Sequence, residues 1–454
     1  MAKNKKRKKV QRAAPPSHLT LKHSQSYLDA CYATARRIIR AVGEDDALLD
    51  VFTKRQKQDL FRIVISPPYV AAKQGHKVPK TFLLYIQENL TMYLKRKVYN
   101  EEFGVTWMDI VTVGQCLILS LEAEEELDRM VPPQMTVVKR LLAVFRKEDI
   151  FSESQRLIID SVKVSLLSLS QPNFRTYGLD ALQTVMATNR PVLQNMQYIT
   201  THECQKLHFT YHNKERVAFR VLVGPMGEET ECIGGIIPRS KLFPDTRPKY
   251  DRLLDIYIQS HALHRLKERI DTLHPTVRNQ LVLLSLMYTQ KVIECDGRVY
   301  LAYVMPQASH ERIIGYFAFT IEGGNLLVLT FLPLLSQHVP EGKVFYEQLH
   351  LSHEDIKHLG MDKLSFFYDV DIEQIPMLKK VLFDKLHLNY IRKLYSTAYT
   401  KEEPFNEKRT AFVKHFFAKI EESMQETMQE TMQETIEEDI QETIQENIPD
   451  HGEE

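Results

Sequence analysis

The chain has 454 residues, 43% hydrophobic and 26% charged, an ordinary soluble composition with room for two or three domains. Lys plus Arg and Asp plus Glu both number 59, so the formal net charge is zero, which excludes a dedicated nucleic-acid coat. The longest apolar stretch, Met108 to Leu121, is too short to span a bilayer, and five scattered cysteines argue against a disulfide framework and fit a reducing cytoplasm.

The zero average hides opposed ends. Seven of the first twelve residues are basic, among them Lys5, Lys6, Arg7, Lys8 and Lys9, and removing both charged ends leaves a body with a basic surplus of six. No apolar run follows these charges, so the start does not read as a secretory signal. Residues 1–20 are expected to be a disordered basic arm, either a contact to the phosphates of RNA, DNA or the ribosome, or a solvated tail.

From residue 21 to about 195 apolar residues recur at three- and four-residue spacing, as in SYLDACYATARRIIRAV, KTFLLYIQENLTMYLKRKV and TVVKRLLAVFRK, which predicts an all-helical N-terminal domain. Pro67-Pro68, Pro79, Pro132-Pro133 and Pro172 read as breaks between helices. Trp107 reads as core, and this domain shows no chemical constellation.

The period then changes, predicting an α+β domain over residues 196–370 with its core at 256–332. Val217, Phe219, Val221 and Val223 alternate as in a strand. The segment GPMG that follows lacks the lysine and the strand-to-helix frame of a phosphate loop. In THECQKLHFTYH the four side chains of His202, Cys204, His208 and His212 would share one face of a continuous strand. Their spacing fits no zinc pattern, and a polar strand face is the expectation, with no metal.

Ile256 to Ile258 is a short apolar strand, and Ser260 is placed to cap the helix after it. On that helix His261, Arg265, Glu268 and Arg269 fall on one face, with Leu263, Leu266 and Ile270 on the other. A second helix runs from Pro275 to about Gln290. Three alternating segments follow, Arg298–Val304, Ile313–Ile321 and Leu326–Leu332. The glycines of Glu322-Gly323-Gly324-Asn325 supply the positive φ that a tight hairpin needs. The expected order is strand, helix, helix, then an antiparallel meander.

The run S-HA-x-x-RL-x-ER-I after a short strand, then GRVYLAYV, the glycine-turned hairpin and LVLTFLP, resembles a bacterial domain family of unknown function. That family is grouped with the barnase–EndoU–colicin–RelE class of toxin-like ribonucleases. The resemblance covers about 80 residues, 256–332. It implies an endoribonuclease fold in which His261, Arg265 and Arg269 match the helix signature and Thr330 the polar residue of the last strand. Metal-free RNA cleavage needs a base, an acid and a cation at the phosphate. Histidine suits proton transfer, and arginine's planar fork suits the phosphate. Glu268, one turn from His264, would orient it or act as base, and Thr330 would bond a phosphate oxygen. No cofactor is called for. Two further readings stay open: a non-catalytic module binding RNA or a protein partner, and a structural or assembly protein.

Beyond the meander, Ser352–Gly360 reads as a short helix with a glycine stop. Residues 371–420 read as C-terminal helices, one over Met377–Tyr395 and one over Pro404–Ile420, the second amphipathic and packed on the body rather than on a membrane. From residue 421 the chain carries 13 acidic residues and no Lys or Arg, with Met424, Met428, Met432 and Ile436 at four-residue steps. On a helix each step turns the stripe by about 40°, a poor zipper, so a low-complexity acidic tail is expected.

Overall fold

A computed structural model of the chain describes residues 25–61, 64–127, 130–180, 183–186, 192–227, 231–306, 311–396 and 405–422. The basic arm with Lys5, Lys6, Arg7, Lys8 and Lys9 lies outside these residues, as does the MQET tail. The architecture is mixed helix and sheet, and no helix among the described residues is long and apolar enough to cross a membrane. Two compact units are present, each assembled from discontinuous segments.

The first unit comprises Met1–Ser165, Leu179–Thr200 and Met226–Thr230. Helix α1 (Gln25–Ala41) turns Cys31, Ala35, Ile38 and Ile39 inward. Strand β1 (Val64–Ala72) follows, then α2 (Lys80–Arg96), which buries Ile86, Leu90 and Leu94 at four-residue steps. Helices α3 (Gln115–Leu127), α4 (Pro132–Lys147) and α5 (Ile150–Leu169) come next. Proline opens α4, where a missing N–H costs nothing. Of strand β2 (Arg175–Asp180) only Leu179 and Asp180 fall in this unit; β3 (Gln183–Met186) and β4 (Val192–Glu203) follow, with β1 parallel to β4 and β3 antiparallel to it.

An all-helical N-terminal domain is therefore incorrect. Pro67 and Pro68 do not separate helices; they sit inside β1, at the edge of its sheet, where the register with β4 slips between Ser66 and Tyr69. An edge strand with a bulge is where a sheet tolerates proline. The Gln87 side chain braces the spot from α2, accepting from the Val70 N–H at 2.8 Å and donating to the Pro68 carbonyl at 2.9 Å.

The second unit comprises Leu166–Gly178, Thr201–Pro225 and the chain from Glu231 onward. Its strands are β5 (Lys206–Tyr211), β6 (Lys214–Arg220), β7 (Ile236–Pro238), β8 (Leu253–Gln259), β9 (Val292–Cys295), β10 (Arg298–Pro306), β11 (Glu311–Glu322) and β12 (Asn325–Leu332). They form one sheet in the order β9-β10-β11-β12-β8-β6-β5, with β7 also on β8. Helices α6 (Ser260–Arg269) and α7 (Pro275–Leu283) join β8 to β9. The meander β10–β12 is antiparallel as expected, β9 adds an unexpected antiparallel strand at its edge, and the β11–β12 hairpin turns on Gly323 and Gly324 with φ of +57° and +84°. The sheet as a whole is mixed, however, because β8 pairs with β12 in parallel, Ile256 against Leu326 and Ile258 against Val328. Apolar alternation is the same beside a parallel or an antiparallel neighbour, so periodicity carries no strand direction.

Three local expectations also change. The segment around His202 is not one strand: β4 ends at Glu203, β5 begins at Lys206, and His212 lies in a turn with φ of +49°. No cluster able to hold a metal ion occurs among the described residues. Ser260 is the first residue of α6 rather than its cap, and Gln259 precedes it without a capping side chain. Helix α8 (Pro340–Leu349) has no counterpart among the expected elements, whereas α9 (His353–Leu359), capped by Ser352, ends at the expected Gly360 stop. The helix over Met377–Tyr395 is instead interrupted around His387, whose φ is +54°, before α10 (Tyr390–Ser396), and α11 spans 407–422.

One face of this sheet carries the aromatic core Tyr303, Phe317 and Phe331, with ring centroids 5.5 to 5.6 Å apart. The Tyr303 hydroxyl donates to the Arg278 carbonyl of α7 at 3.1 Å, which marks this as the α7 side. On the other face Phe209, Ala218 and Leu327 pack with Tyr257 and Leu329.

Candidate nucleic-acid interface

Thr330 belongs to the face opposite the aromatic core, and a bulge puts it there. Ala318 pairs with Thr330 while the next residue, Phe319, pairs with Val328, so Leu329 is an extra residue in β12. Strict alternation would place Thr330 beside Val328 against the core. The bulge turns Leu329 and Thr330 to the same side, away from it.

There Thr330 lines an open cavity of about 560 Å³, the size of many ligand sites. Ala318 and Thr320 form its floor and Arg298 stands at the start of β10. Arg239 and Phe243 approach from the one-turn helix Arg239–Leu242 after β7, and His338 from the segment after β12. That segment is drawn close to α8 because residue 342 is glycine: a Cβ there would meet the Ser336 carbonyl oxygen at 1.8 Å.

The lining has one sign of charge. No Asp or Glu is in it, and neither Arg239 nor Arg298 forms an ion pair or side-chain hydrogen bond among the described residues. Two open guanidinium forks, two threonine hydroxyls and an imidazole face a space that admits an anion. Arginine's fork matches phosphate oxygens in pairs, and threonine donates one further bond. Tyr300, which also lines the cavity, meets Tyr316 edge to face at 6.2 Å, and the Tyr316 hydroxyl donates to both oxygens of Glu341 at 2.8 and 2.7 Å. That carboxylate is committed to tyrosine and turned out of the lining.

The residues of α6 stand elsewhere, and none of them lines the cavity with Thr330. Glu268 is held between His264 (Nε2 to Oε1, 3.0 Å) and Arg265 (Nη1 to Oε2, 3.0 Å). Desolvation would raise its carboxyl, but the Arg265 hydrogen bond and the His264, Arg265 and Arg269 charges hold it below its ordinary value, so it is a poor proton acceptor. His261 is exposed; desolvation first, then Arg265, Arg216 and His264, disfavour its charged form. Arg269, expected on nucleic acid, is instead paired with Asp362, with only 15% and 9% of the two side chains exposed. Its backbone carbonyl accepts from Leu364 N at 2.7 Å. It ties α6 to the 361–365 segment and is not free for phosphate.

The structure thus separates Thr330 from His261, Arg265, Glu268 and Arg269, and brings it together with Arg239, Arg298 and His338. Arg298 was visible at the head of GRVYLAYV; its direction depends on β10 and β11 pairing. Nothing local marks Arg239 or His338, which reach the cavity from segments about 60 and 40 residues either side of Arg298. Comparison with protein-family models, curated proteins and solved structures finds no match.

Proposed function

We propose that the second unit binds RNA on the open sheet face, with Arg239 and Arg298 on the phosphates and Thr320 and Thr330 as hydrogen-bonding partners. The observation that carries this reading is a pair of arginines that, among the described residues, have no carboxylate partner and share one open cavity with no described acid in its lining. A cation pair left open toward solvent is the arrangement that recognises an incoming anion, whereas structural arginines are paired, as Arg269 and Arg220 are here. The resemblance of residues 256–332 to toxin-like ribonucleases supports RNA as the anion. The basic residues Lys5–Lys9 add sequence-independent charge in the same reading.

Cleavage is the second reading, and one observation favours it: His338 shares the cavity with Thr330 and both arginines. Histidine is the side chain suited to proton transfer near neutral pH. The α6 set is less suited, because Glu268 is already engaged and His261 is outside the cavity.

One experiment separates the readings. Full-length protein is titrated into labelled RNA at several salt concentrations, and the RNA is then run on a denaturing gel. Arg298→Ala and Arg239→Ala are each expected to weaken binding and to lower the salt slope by about 0.7, one phosphate contact on a single strand. RNA recovered intact supports binding alone. Cleavage that persists with chelator and disappears in His338→Ala moves the function to catalysis. Unchanged affinity and slope in both arginine variants would refute the site.

A further inference from the structure

The rim of the cavity carries a basic loop braced by its own hydrogen bonds. Residues 239–252, RSKLFPDTRPKYDR, hold five basic side chains against Asp245 and Asp251. Asp251 is internal to the loop, accepting from the Ser240 N–H at 2.9 Å and the Ser240 hydroxyl at 2.7 Å. The loop is closed by the Arg239 N–H on the Arg252 carbonyl at 3.1 Å. It is braced within by Phe243 N to Arg239 O at 3.0 Å, Thr246 Oγ1 to Phe243 O at 2.7 Å and Tyr250 N to Arg247 O at 2.8 Å. It is therefore preorganised, although most of its side chains other than the buried Leu242 are at least partly exposed.

Two aromatic rings stand on this braced loop. Phe243 is 37% exposed and lines the cavity itself; Tyr250 is 59% exposed. Arg252 reaches the Gly323-Gly324 hairpin, with its guanidinium carbon 3.9 Å from where a Cβ of Gly324 would be. This brings the loop beside the turn between β11 and β12. A rigid loop that alternates exposed rings with cations offers a surface for flat apolar groups strung on a polyanion. An unpaired nucleobase is such a group, and every base presents the same π-face. In a duplex those faces are stacked on one another and hidden, so the rings would have nothing to bind.

We infer that the site takes single-stranded RNA, with an unpaired base stacked on Phe243, the next on Tyr250, and the intervening phosphates on Arg239 and Arg298. The inference rests on the RNA reading of the same cavity and adds the strandedness of the ligand and the residues that decide it. Phosphate contact alone does not distinguish single strand from duplex; stacking does.

The test uses full-length protein and fluorescence anisotropy with a labelled RNA of about twelve nucleotides. Three probes are compared: the single strand, the same strand annealed to its complement, and a strand of abasic residues. The single strand is expected to bind at least about tenfold more tightly than either other probe, and Phe243→Ala and Tyr250→Ala each to weaken it roughly tenfold while leaving duplex affinity unchanged. Phe243→Trp is expected to retain single-strand affinity. Both rings are surface groups, and an unchanged melting curve for each variant shows that the fold is intact. Equal affinity for duplex and single strand, or wild-type single-strand affinity in both alanine variants, overturns the inference; if Arg298→Ala still weakens binding there, the RNA reading survives. Failure of every RNA probe, or capture of a phosphopeptide in its place, overturns both.

Discussion

Glu341 sits inside the second unit with both carboxylate oxygens on the Tyr316 hydroxyl. Burial raises its pKa, and the tyrosine hydrogen bond only partly opposes this. A carboxyl whose folded pKa is raised contributes most below its unfolded value, about 4.3; that contribution is lost as pH rises through the higher folded value. Stability from this site should therefore fall on going from acid toward neutral pH. Glu341→Gln keeps an acceptor for Tyr316 and removes the titration. We expect its thermal unfolding midpoint to vary less than that of the wild type between about pH 4 and pH 8, and to lie above it at the neutral end. Parallel profiles for the two proteins would mean that Glu341 does not titrate in this range.

At the level of single elements, β12 and α6 show how a side chain's neighbours are decided. The hairpin ahead of β12 was legible, because Gly323-Gly324 is the chemistry that a positive-φ turn requires. The bulge at Leu329 was not, because an extra residue exists only relative to the register of β11. Thr330 was thus singled out while the face it occupies stayed hidden. Helix α6 shows the reverse: its charged face reads clearly, yet its last arginine is claimed by Asp362, which lies 93 residues on. Breaking a buried pair strands the remaining charge, so Arg269→Ala should cost about 3–5 kcal/mol in chemical denaturation. Replacing both partners by leucine should recover most of that loss. A cost below about 1 kcal/mol, the worth of an exposed pair, would show that the pair is solvated.

For the molecule as a whole, the second unit is larger than the stretch that announces it. Within residues 256–332, β8 lacks its antiparallel neighbour β6, which precedes it, and Asp362, Glu341 and Tyr390 all lie beyond the end. The Tyr390 hydroxyl donates back to the Ile313 carbonyl of β11 at 2.5 Å. A fragment of residues 256–332 is accordingly expected to show no cooperative melt by circular dichroism, because its apolar faces and several hydrogen-bonding groups would be uncovered. A sharp transition in that fragment would show that the flanking segments are accessory. By itself the sequence determined what local chemistry dictates: the amphipathic helices, the glycine hairpin, the Gly360 stop, and the meander β10–β12, all set by residues a few positions apart. Tertiary structure alone decided that Pro67 and Pro68 lie in a strand, that β8 runs parallel to β12, that Arg269 is spent on Asp362, and that Thr330 meets Arg239, Arg298 and His338. Each of these depends on a partner distant in the chain, and periodicity records which way a side chain faces along its own element but not what the fold brings to meet it.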